Sequence, residues 1–346
     1  MNNQAYTLDE TDRKIIGILA GDSRLSYERI GSALNLTRNS IKTRVNRMVS
    51  IGVIQEYIAD INLSVLGYNV YYVITKQRKK GINAEINHIK RSNAVGYLDR
   101  LGDILAEIKV LGESSIFRIA TREALPHIKI AGKDHEVIDA NSELEAGLIE
   151  KVVLASTAKG FKSRTPRKHQ RQEERSFLTP TDLKILRSLV LNPKIGVTDI
   201  ANLISVSART ANRILNKLID NGVVRFSIIC DPSLMKGLVV FGLLIYVDDN
   251  NNNIQGKKKS LNSHKVLERL YSDSQEFPFL RTPIISHDNI VIMSVFGSDV
   301  SAIDSIFKRI LLFEEVKKVE LYVFTRIKYY KESIAKKIDN ILGSRL

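Results

Sequence analysis

The 346-residue sequence predicts an α+β protein in which two winged helix-turn-helix domains alternate with two ferredoxin-like βαββαβ sandwich domains. Residues 8–76 align without a gap onto residues 178–246, at a constant offset of 170. Within each copy, apolar residues first recur with a helical period and then gather into short runs typical of strands. A period of 170 residues is too long for a solenoid repeat. The chain is therefore predicted to be a duplicated two-domain unit.

Each copy opens with three predicted helices and an arm. In the first copy, residues 8–20 form an amphipathic helix, Ser26 caps a second helix and Thr37 caps a third. Gly52 ends the third helix in a left-handed conformation, and residues 53–61 form a short hairpin arm. This order indicates a winged helix-turn-helix, in which the last helix enters the DNA major groove.

The third helix has one apolar and one cationic face. Ile41, Val45 and Met48 are spaced as one side of a helix, and no acidic residue occurs between Glu28 and Glu56. Cationic side chains can meet phosphates, and Arg and Asn side chains can pair with base edges. The predicted DNA-binding residues of this copy are Thr37, Arg38, Asn39, Lys42, Thr43, Asn46 and Arg47, with Tyr57 contacting the DNA backbone from the arm.

The second copy keeps this pattern with different residues. Its predicted DNA-binding residues are Ser207, Arg209, Thr210, Asn212, Arg213, Asn216 and Lys217, with Arg225 on the arm. Arg44 corresponds to Ile214, so the two helices are not expected to read DNA identically. A single basic helix face is usually only solvated; its occurrence twice is what favours DNA binding.

After each arm the pattern predicts a βαββαβ sandwich, with helices on one face of an antiparallel sheet. In the first copy, the predicted strands are residues 68–75, 95–111, 116–121 and 150–157, and the helices are residues 82–92 and about 122–144. In the second copy, the strands are residues 238–247, 279–286, 289–297 and 316–327, and the helices are residues 260–274 and 298–313. The uncovered sheet face favours pairing with a second such domain.

These elements divide the chain into six segments. They are a winged helix-turn-helix at 1–62, a sandwich at 63–157, a basic linker at 158–177, a second winged helix-turn-helix at 178–232, a second sandwich at 233–328 and a C-terminal helix at 329–346. The apolar stripe of the last helix is expected to dock on the protein.

Composition sets bounds on partners and location. The net charge of +14 favours a polyanionic partner, here double-stranded DNA. The single cysteine, Cys230, excludes an internal disulfide and suits a reducing cytoplasm. The longest apolar run, residues 238–247, is shorter than the ~20 residues that span a membrane, and the N-terminus resembles no signal peptide. A cytoplasmic protein without a membrane partner is predicted.

Four groups of residues in the first copy keep the order and spacing of a known family. They are Leu8-Asp9-x-x-Asp12, the R-V-x-R-M from Arg44 to Met48, Gly52-Val53-Ile54 followed by Tyr57-x-Ala59, and Leu66-Gly67. They resemble the N-terminal region of the leucine-responsive regulatory protein/AsnC family of transcription regulators. The second copy matches more loosely, with Ser227 and Ile229 in place of Tyr57 and Ala59.

The resemblance implies a bacterial or archaeal regulator that dimerises through its αβ domains. Family members usually carry one such unit, so a tandem chain is expected to form an intramolecular pseudo-dimer, with a homodimer as the rival. The resemblance also implies an effector site near a turn that Gly102 and Asp103 approximate, which makes an amino-acid-like small molecule a candidate partner. No cofactor and no metal site are predicted.

Two alternative functions stay open. Some chains of this architecture resemble tetrapyrrole decarboxylases that use a pocket histidine, but His88, His127, His135, His169, His264 and His287 are scattered and no pair has metal-ligand spacing. We therefore predict no enzyme activity. The other alternative is a protein-interaction scaffold of the transcription machinery, which uses degenerate winged helices to dock on a partner.

Overall fold

The computed structural model describes residues 6–75, 103–111, 114–122, 135–139, 178–248, 261–272, 279–285 and 290–344. The first range opens with a short strand and three helices: β1 (Tyr6–Thr7), α1 (Glu10–Gly21), α2 (Tyr27–Leu34) and α3 (Arg38–Ser50). An extended arm, β2 (Ile54–Ile61), follows. The three helices and the arm lie where the sequence predicts them.

Side-chain caps position the second and third helices. The Ser26 hydroxyl accepts a hydrogen bond from the backbone N–H of Arg29 at 3.3 Å, and the Thr37 hydroxyl accepts one from Ser40 at 3.2 Å. Gly52 follows α3 with a φ of +83°, the left-handed conformation that favours glycine. The predicted caps and the predicted end of the helix are confirmed.

The first sandwich contributes four described strands: β3 (Asn69–Thr75), β4 (Asp103–Val110), β5 (Ser115–Thr121) and β6 (His135–Asp139). The last of these corrects the sequence analysis, which placed His135 in a helical region. Residues 135–139 are extended because they pair along β3, where Ile138 is buried opposite Tyr72. The strand predicted at 150–157, the helix predicted at 82–92 and the linker lie outside the described residues.

The second copy has the same order. Its helix-turn-helix consists of α4 (Pro180–Leu191), α5 (Val197–Ile204) and α6 (Ala208–Asp220), followed by the arm β7 (Val224–Cys230) and the short β8 (Met235–Lys236). Its sandwich consists of β9 (Val239–Val247), α7 (Leu261–Ser272), β10 (Phe279–Ile285), β11 (Ile290–Gly297), α8 (Val300–Leu311) and β12 (Val316–Tyr329). The chain ends with α9 (Lys331–Gly343). The domain boundaries themselves stay a prediction.

The two sandwiches share one continuous antiparallel sheet. The described strands follow the order β10-β11-β9-β12-β4-β5-β3-β6, so each half has the ferredoxin-like arrangement. Strand β12 of the second copy joins β4 of the first, with Ile327 opposite Ile108 and Tyr329 opposite Ala106. Apolar side chains from both halves, including Tyr72 and Phe324, belong to one buried cluster. The sandwiches therefore pair within one chain.

The arms also pair with each other, which corrects the predicted hairpin. Strand β2 pairs with no other described strand of the first copy. It forms an antiparallel two-stranded sheet with β7, in which the exposed backbone N–H and C=O groups of each arm bind those of the other. Tyr57 lies opposite Ile228, and Ile58 lies opposite Ser227. Ile228 and Ser227 are the residues that match Ile58 and Tyr57 at the offset of 170. A local two-fold axis therefore passes between the two arms.

Helix α9 docks as its apolar stripe predicts. Ile334, Ile338 and Ile341 are buried in the cluster that also holds Leu183 and Leu186 of α4. Ion pairs tie the same helix to three places: Lys331 to Glu56 at 2.7 Å, Arg187 to Asp339 at 2.5 Å, and Lys337 to Asp103. The C-terminal helix thus fixes the second helix-turn-helix to the body of the pseudo-dimer.

Candidate nucleic-acid interface

The third helix of the first copy, α3, separates its two faces sharply. Ile41, Val45 and Met48 have at most 1% of their surface exposed and pack into the domain core. The exposed face carries Arg38, Asn39, Lys42, Thr43, Asn46 and Arg47, all of them predicted DNA-binding residues. Ser40, which the sequence analysis missed, is half-buried between them and shares a shallow depression with Asn39, Thr43 and Arg47. Thr37 acts as the cap at the start of this face.

The equivalent helix of the second copy, α6, is built in the same way. Ala211, Leu215 and Leu218 are buried, and Ser207 caps the helix by accepting from the backbone N–H of Thr210 at 3.1 Å. Its exposed cationic and amide side chains are Arg209, Asn212, Arg213 and Lys217. Thr210 and Asn216 are half-buried, so they lie at the edge of this face.

Arg44 lies at the edge of the exposed face, where it lines the same depression, and its guanidinium reaches toward the first helix. Its guanidinium lies 2.6 Å from the Asp9 carboxylate and 2.7 Å from that of Asp12, which is buried. Burial raises the pKa of Asp9, but hydrogen bonds from the Asp12 backbone and from Arg44 outweigh it and hold that pKa below its ordinary value. Replacement by Ile214, itself buried, changes the packing between helices. At this position α3 and α6, which we call the reading helices, therefore differ in charge: one has an ion-paired cation and the other a buried apolar side chain.

An ion pair within the first copy holds one of the predicted DNA contacts. The Arg38 Nε lies 2.6 Å from Oε1 of Glu28, and both side chains are more than half exposed. Hydrogen bonds from its own backbone and from Ser26, together with Arg38, hold the pKa of Glu28 below its ordinary value, so the carboxylate is charged at neutral pH. The second copy has Thr198 and Ala208 at these positions. A phosphate at Arg38 would therefore compete with a neighbouring carboxylate for the guanidinium.

The arms do not present the two predicted backbone contacts freely. Tyr57 is half-buried in the sheet between the arms, and Lys194 lies 4.2 Å from the centre of its ring. Burial, with a further contribution from Tyr27, raises the pKa of Tyr57 to about 12. Arg225 lies opposite Asp60 in the same sheet. We therefore leave Tyr57 and Arg225 out of the DNA contacts proposed below.

Of the two predicted effector residues, Gly102 lies outside the described residues. Asp103 forms an ion pair with Lys337, whose side chain is only 3% exposed and lies 4.3 Å from the centre of the Tyr68 ring. Asp103 thus helps to hold α9, a structural role that the sequence did not suggest. Within the described ranges, no group of three or more His, Cys, Asp or Glu residues could hold a metal ion. No described helix is both long and apolar enough to cross a bilayer.

Two family models match the helix-turn-helix regions that form these faces. The AsnC-type helix-turn-helix domain matches residues 8–49, and a winged helix-turn-helix DNA-binding model matches residues 178–225. An uncharacterized HTH-type transcriptional regulator of Pyrococcus abyssi is 34% identical over 113 residues, which are 33% of this chain and 71% of the relative.

This chain belongs to the Lrp/AsnC family of transcription regulators.

A second relative agrees with this family. The HTH-type transcriptional regulator FL11 of Pyrococcus furiosus is 30% identical over 110 residues, which are 31% of this chain and 73% of the relative. Among solved structures, the siroheme decarboxylase NirDL aligns with this chain over 97% of this chain and 99% of the NirDL chain, with a TM-score of 0.46 and 12% identity. A likeness of that degree carries no argument about catalysis. The two relatives are both named as transcriptional regulators.

Proposed function

We propose that this Lrp/AsnC chain is a transcription regulator that binds double-stranded DNA with α3 and α6 in successive major grooves. The observation that carries this proposal is the pair of exposed cationic helix faces, which hold no acidic residue over positions 38–50 and 208–219 and are each capped at the N-terminal end. Phosphates supply the sequence-independent part of such binding, and base edges in the major groove supply specificity.

The geometry of the arms supports half-sites in inverted orientation. A two-fold axis between β2 and β7 relates the two copies, so helices in equivalent positions approach DNA from opposite directions. The exposed residues of α3 and α6 differ at most equivalent positions; Lys42 matches Asn212, and Thr43 matches Arg213. We therefore propose an operator whose two half-sites differ in sequence.

The proposed contacts divide by side-chain chemistry. The cationic side chains are proposed to meet phosphates or guanine edges, and the amide side chains to pair with adenine edges. The cations are Arg38, Lys42, Arg47, Arg209, Arg213 and Lys217, and the amides are Asn39, Asn46, Asn212 and Asn216. Thr43 and Thr210 complete the set, while Thr37 and Ser207 act through the caps. A cytoplasmic location and an amino-acid-like effector stay part of the proposal without a described site for the latter.

Salt dependence of binding tests the proposal. Fluorescence anisotropy on mixed duplex DNA should give a linear decrease of log affinity with log salt, with a slope that changes by about 0.9 for each phosphate contact. Replacing Arg38, Lys42 and Arg47 with Ala should therefore flatten the slope by about two to three units. The matched control replaces Lys265, Arg326 and Lys336, three exposed cations away from both reading helices, and should leave the slope unchanged.

Two results would contradict the proposal. One is an absence of salt-dependent binding, and the other is an equal effect of the two triple variants, which would indicate attraction by net charge alone. Incubation with an iron tetrapyrrole tests the enzyme alternative separately: a Soret band that follows the protein through gel filtration would reopen it.

A further inference from the structure

The two helix-turn-helix domains touch each other directly through a reciprocal contact of two cations. Arg24 lies in the loop between α1 and α2, and Lys194 lies at the same position in the loop between α4 and α5. Arg24 donates to the backbone carbonyl oxygens of Pro193 and Ile195, at 3.1 and 2.9 Å. Lys194 donates to the carbonyl oxygen of Ser23. Arg24 therefore binds the backbone on both sides of Lys194, and Lys194 binds the backbone on one side of Arg24.

Each cation also crosses to the opposite arm. The Arg24 guanidinium lies 4.9 Å from the centre of the Phe226 ring on β7, and the Lys194 ammonium lies 4.2 Å from that of Tyr57 on β2. A backbone hydrogen bond from Ser23 to the Phe226 carbonyl, at 3.2 Å, closes the same contact. We call Arg24, Lys194 and the carbonyl groups that they bind the loop clamp.

Movement of these loops reaches the reading helices through close packing. The loop with Arg24 leads directly into α2, and a side chain added at Gly31 of α2 would collide with the carbonyl oxygen of Leu36, in the turn before α3. In the second copy, the backbone N–H of Val206 donates to Ala201 at 3.0 Å across the same turn. Close contacts therefore connect the two clamped loops, through α2 and α5, to the starts of α3 and α6.

We propose that the loop clamp fixes the distance and orientation between the two reading helices, and that it makes the protein selective for the number of base pairs between its half-sites. Backbone carbonyl acceptors suit this role because their positions depend on the loop itself. Arg24 and Lys194 act as positioning residues and contact no base. The proposal rests on the DNA-binding function proposed above only in its second part, the selectivity for spacing.

Distance measurements between two spin labels test the first part without DNA. Labels at Ser50→Cys and Asp220→Cys lie at equivalent exposed ends of α3 and α6, and native Cys230 stays unlabelled because burial raises the pKa of its thiol to about 12. The full-length protein should give one narrow distance distribution. The variant with Arg24→Ala and Lys194→Ala should broaden it by about two-fold or more, whereas Lys336→Ala should not. An equal width in the double variant would overturn the proposal.

Selection from random duplexes tests the second part. The wild-type protein should enrich two half-sites at one spacing, and a two-base-pair insertion between them should weaken binding by about ten-fold or more. The double variant should lose less than about three-fold on the same insertion. An equal penalty in both proteins would overturn the spacing role. If the wild-type protein enriches no duplex, the proposed DNA binding is overturned, and the spin-label distances alone then test whether the clamp fixes the two helices. Arg24→Gln with Lys194→Gln, which removes both charges but keeps the aliphatic stem as far as Cδ, replaces the alanine pair if that pair fails to fold.

Discussion

The buried carboxylate of Asp12 determines what Arg44 does. Asp12 is 1% exposed, and Arg44 lies 2.7 Å from it while also reaching Asp9. A buried carboxylate is costly without a partner, so the cation is drawn inward although its helix position borders the exposed face. Lys217 approaches the equivalent Asp182 only at 3.7 Å, with nearly half of its own side chain exposed. Each copy therefore places a cation near the buried carboxylate of its first helix, but the cation comes from a different position of the third helix.

Replacing Arg44 with Ala should destabilise the protein by about 1–3 kcal/mol, because Asp12 keeps its burial and loses this charged partner. Urea unfolding of the variant and the wild type measures the difference. The salt slope of DNA binding should stay within about 0.3 of the wild-type value, since Arg44 makes no proposed phosphate contact. Unchanged stability together with a slope that falls by about one would assign Arg44 to DNA after all.

Replacing Glu28 with Gln should strengthen DNA binding by about two- to five-fold. The exposed pair with Arg38 is worth about 0–1 kcal/mol, and the Glu28 carboxylate both competes with a phosphate for Arg38 and repels it. Anisotropy titrations at one fixed salt concentration measure the gain, with Glu332→Gln on α9 as the control for a change in net charge. Equal gains in both variants would show that only the net charge matters.

At the scale of elements, C-terminal helix α9 breaks the symmetry of the duplicated chain. It packs against α4 of the second copy, and its ion pairs reach Glu56 and Asp103 of the first. At the offset of 170, the matching residues of the first copy are 161–173, a basic segment without an apolar period. The second helix-turn-helix is therefore held against the sandwiches by a C-terminal helix, and the sequence of the first copy encodes no equivalent of this helix.

Replacing Ile338 of α9 with Ala should lower the free energy of unfolding by about 2–5 kcal/mol, because this side chain is fully buried in the cluster that α9 shares with α4. The exposed neighbour Lys336→Ala is the control and should change stability by less than about 0.5 kcal/mol. Urea denaturation followed by circular dichroism measures both. A loss below about 1 kcal/mol for Ile338→Ala would mean that α9 is not a structural support.

At the scale of the whole molecule, the chain satisfies within itself the contacts that two family subunits are expected to make with each other. The paired arms, the shared sheet and the loop clamp all join the first copy to the second. These contacts leave a single chain with two reading helices, whereas a homodimer would carry four. The intramolecular pairing that the sequence analysis predicted is therefore present, and the number of chains in solution stays a prediction.

Light scattering should give a mass near 39.0 kDa, that of one chain, and titration of a two-half-site duplex should saturate at one chain per duplex. The physical reason is that β4 and the extended arms are already paired within the chain, so these edges are not open to a second copy; the described sheet ends in β10 and β6. A mass of about twice that value, independent of concentration, would instead support the homodimer with four helix-turn-helix domains.

Local patterns determined much of this protein. The apolar period, the caps at Ser26, Thr37 and Ser207, and the left-handed glycine fixed the helices, since these features depend on neighbours a few residues away. The exposed residues of α3 and α6 could be predicted for the same reason. The strand at His135–Asp139 could not, because its extended form depends on β3, about 60 residues earlier.

Only the tertiary structure decided how the two copies meet. The sequence predicted a hairpin arm, a contact between Tyr57 and the DNA backbone, and Asp103 as a candidate effector residue. The structure pairs the arms with each other, covers Tyr57 with Lys194 and binds Asp103 to Lys337. Each of these contacts joins residues more than 130 positions apart. No local pattern carries that information, because the partner of an extended edge or a buried charge is chosen by the packing of the whole chain.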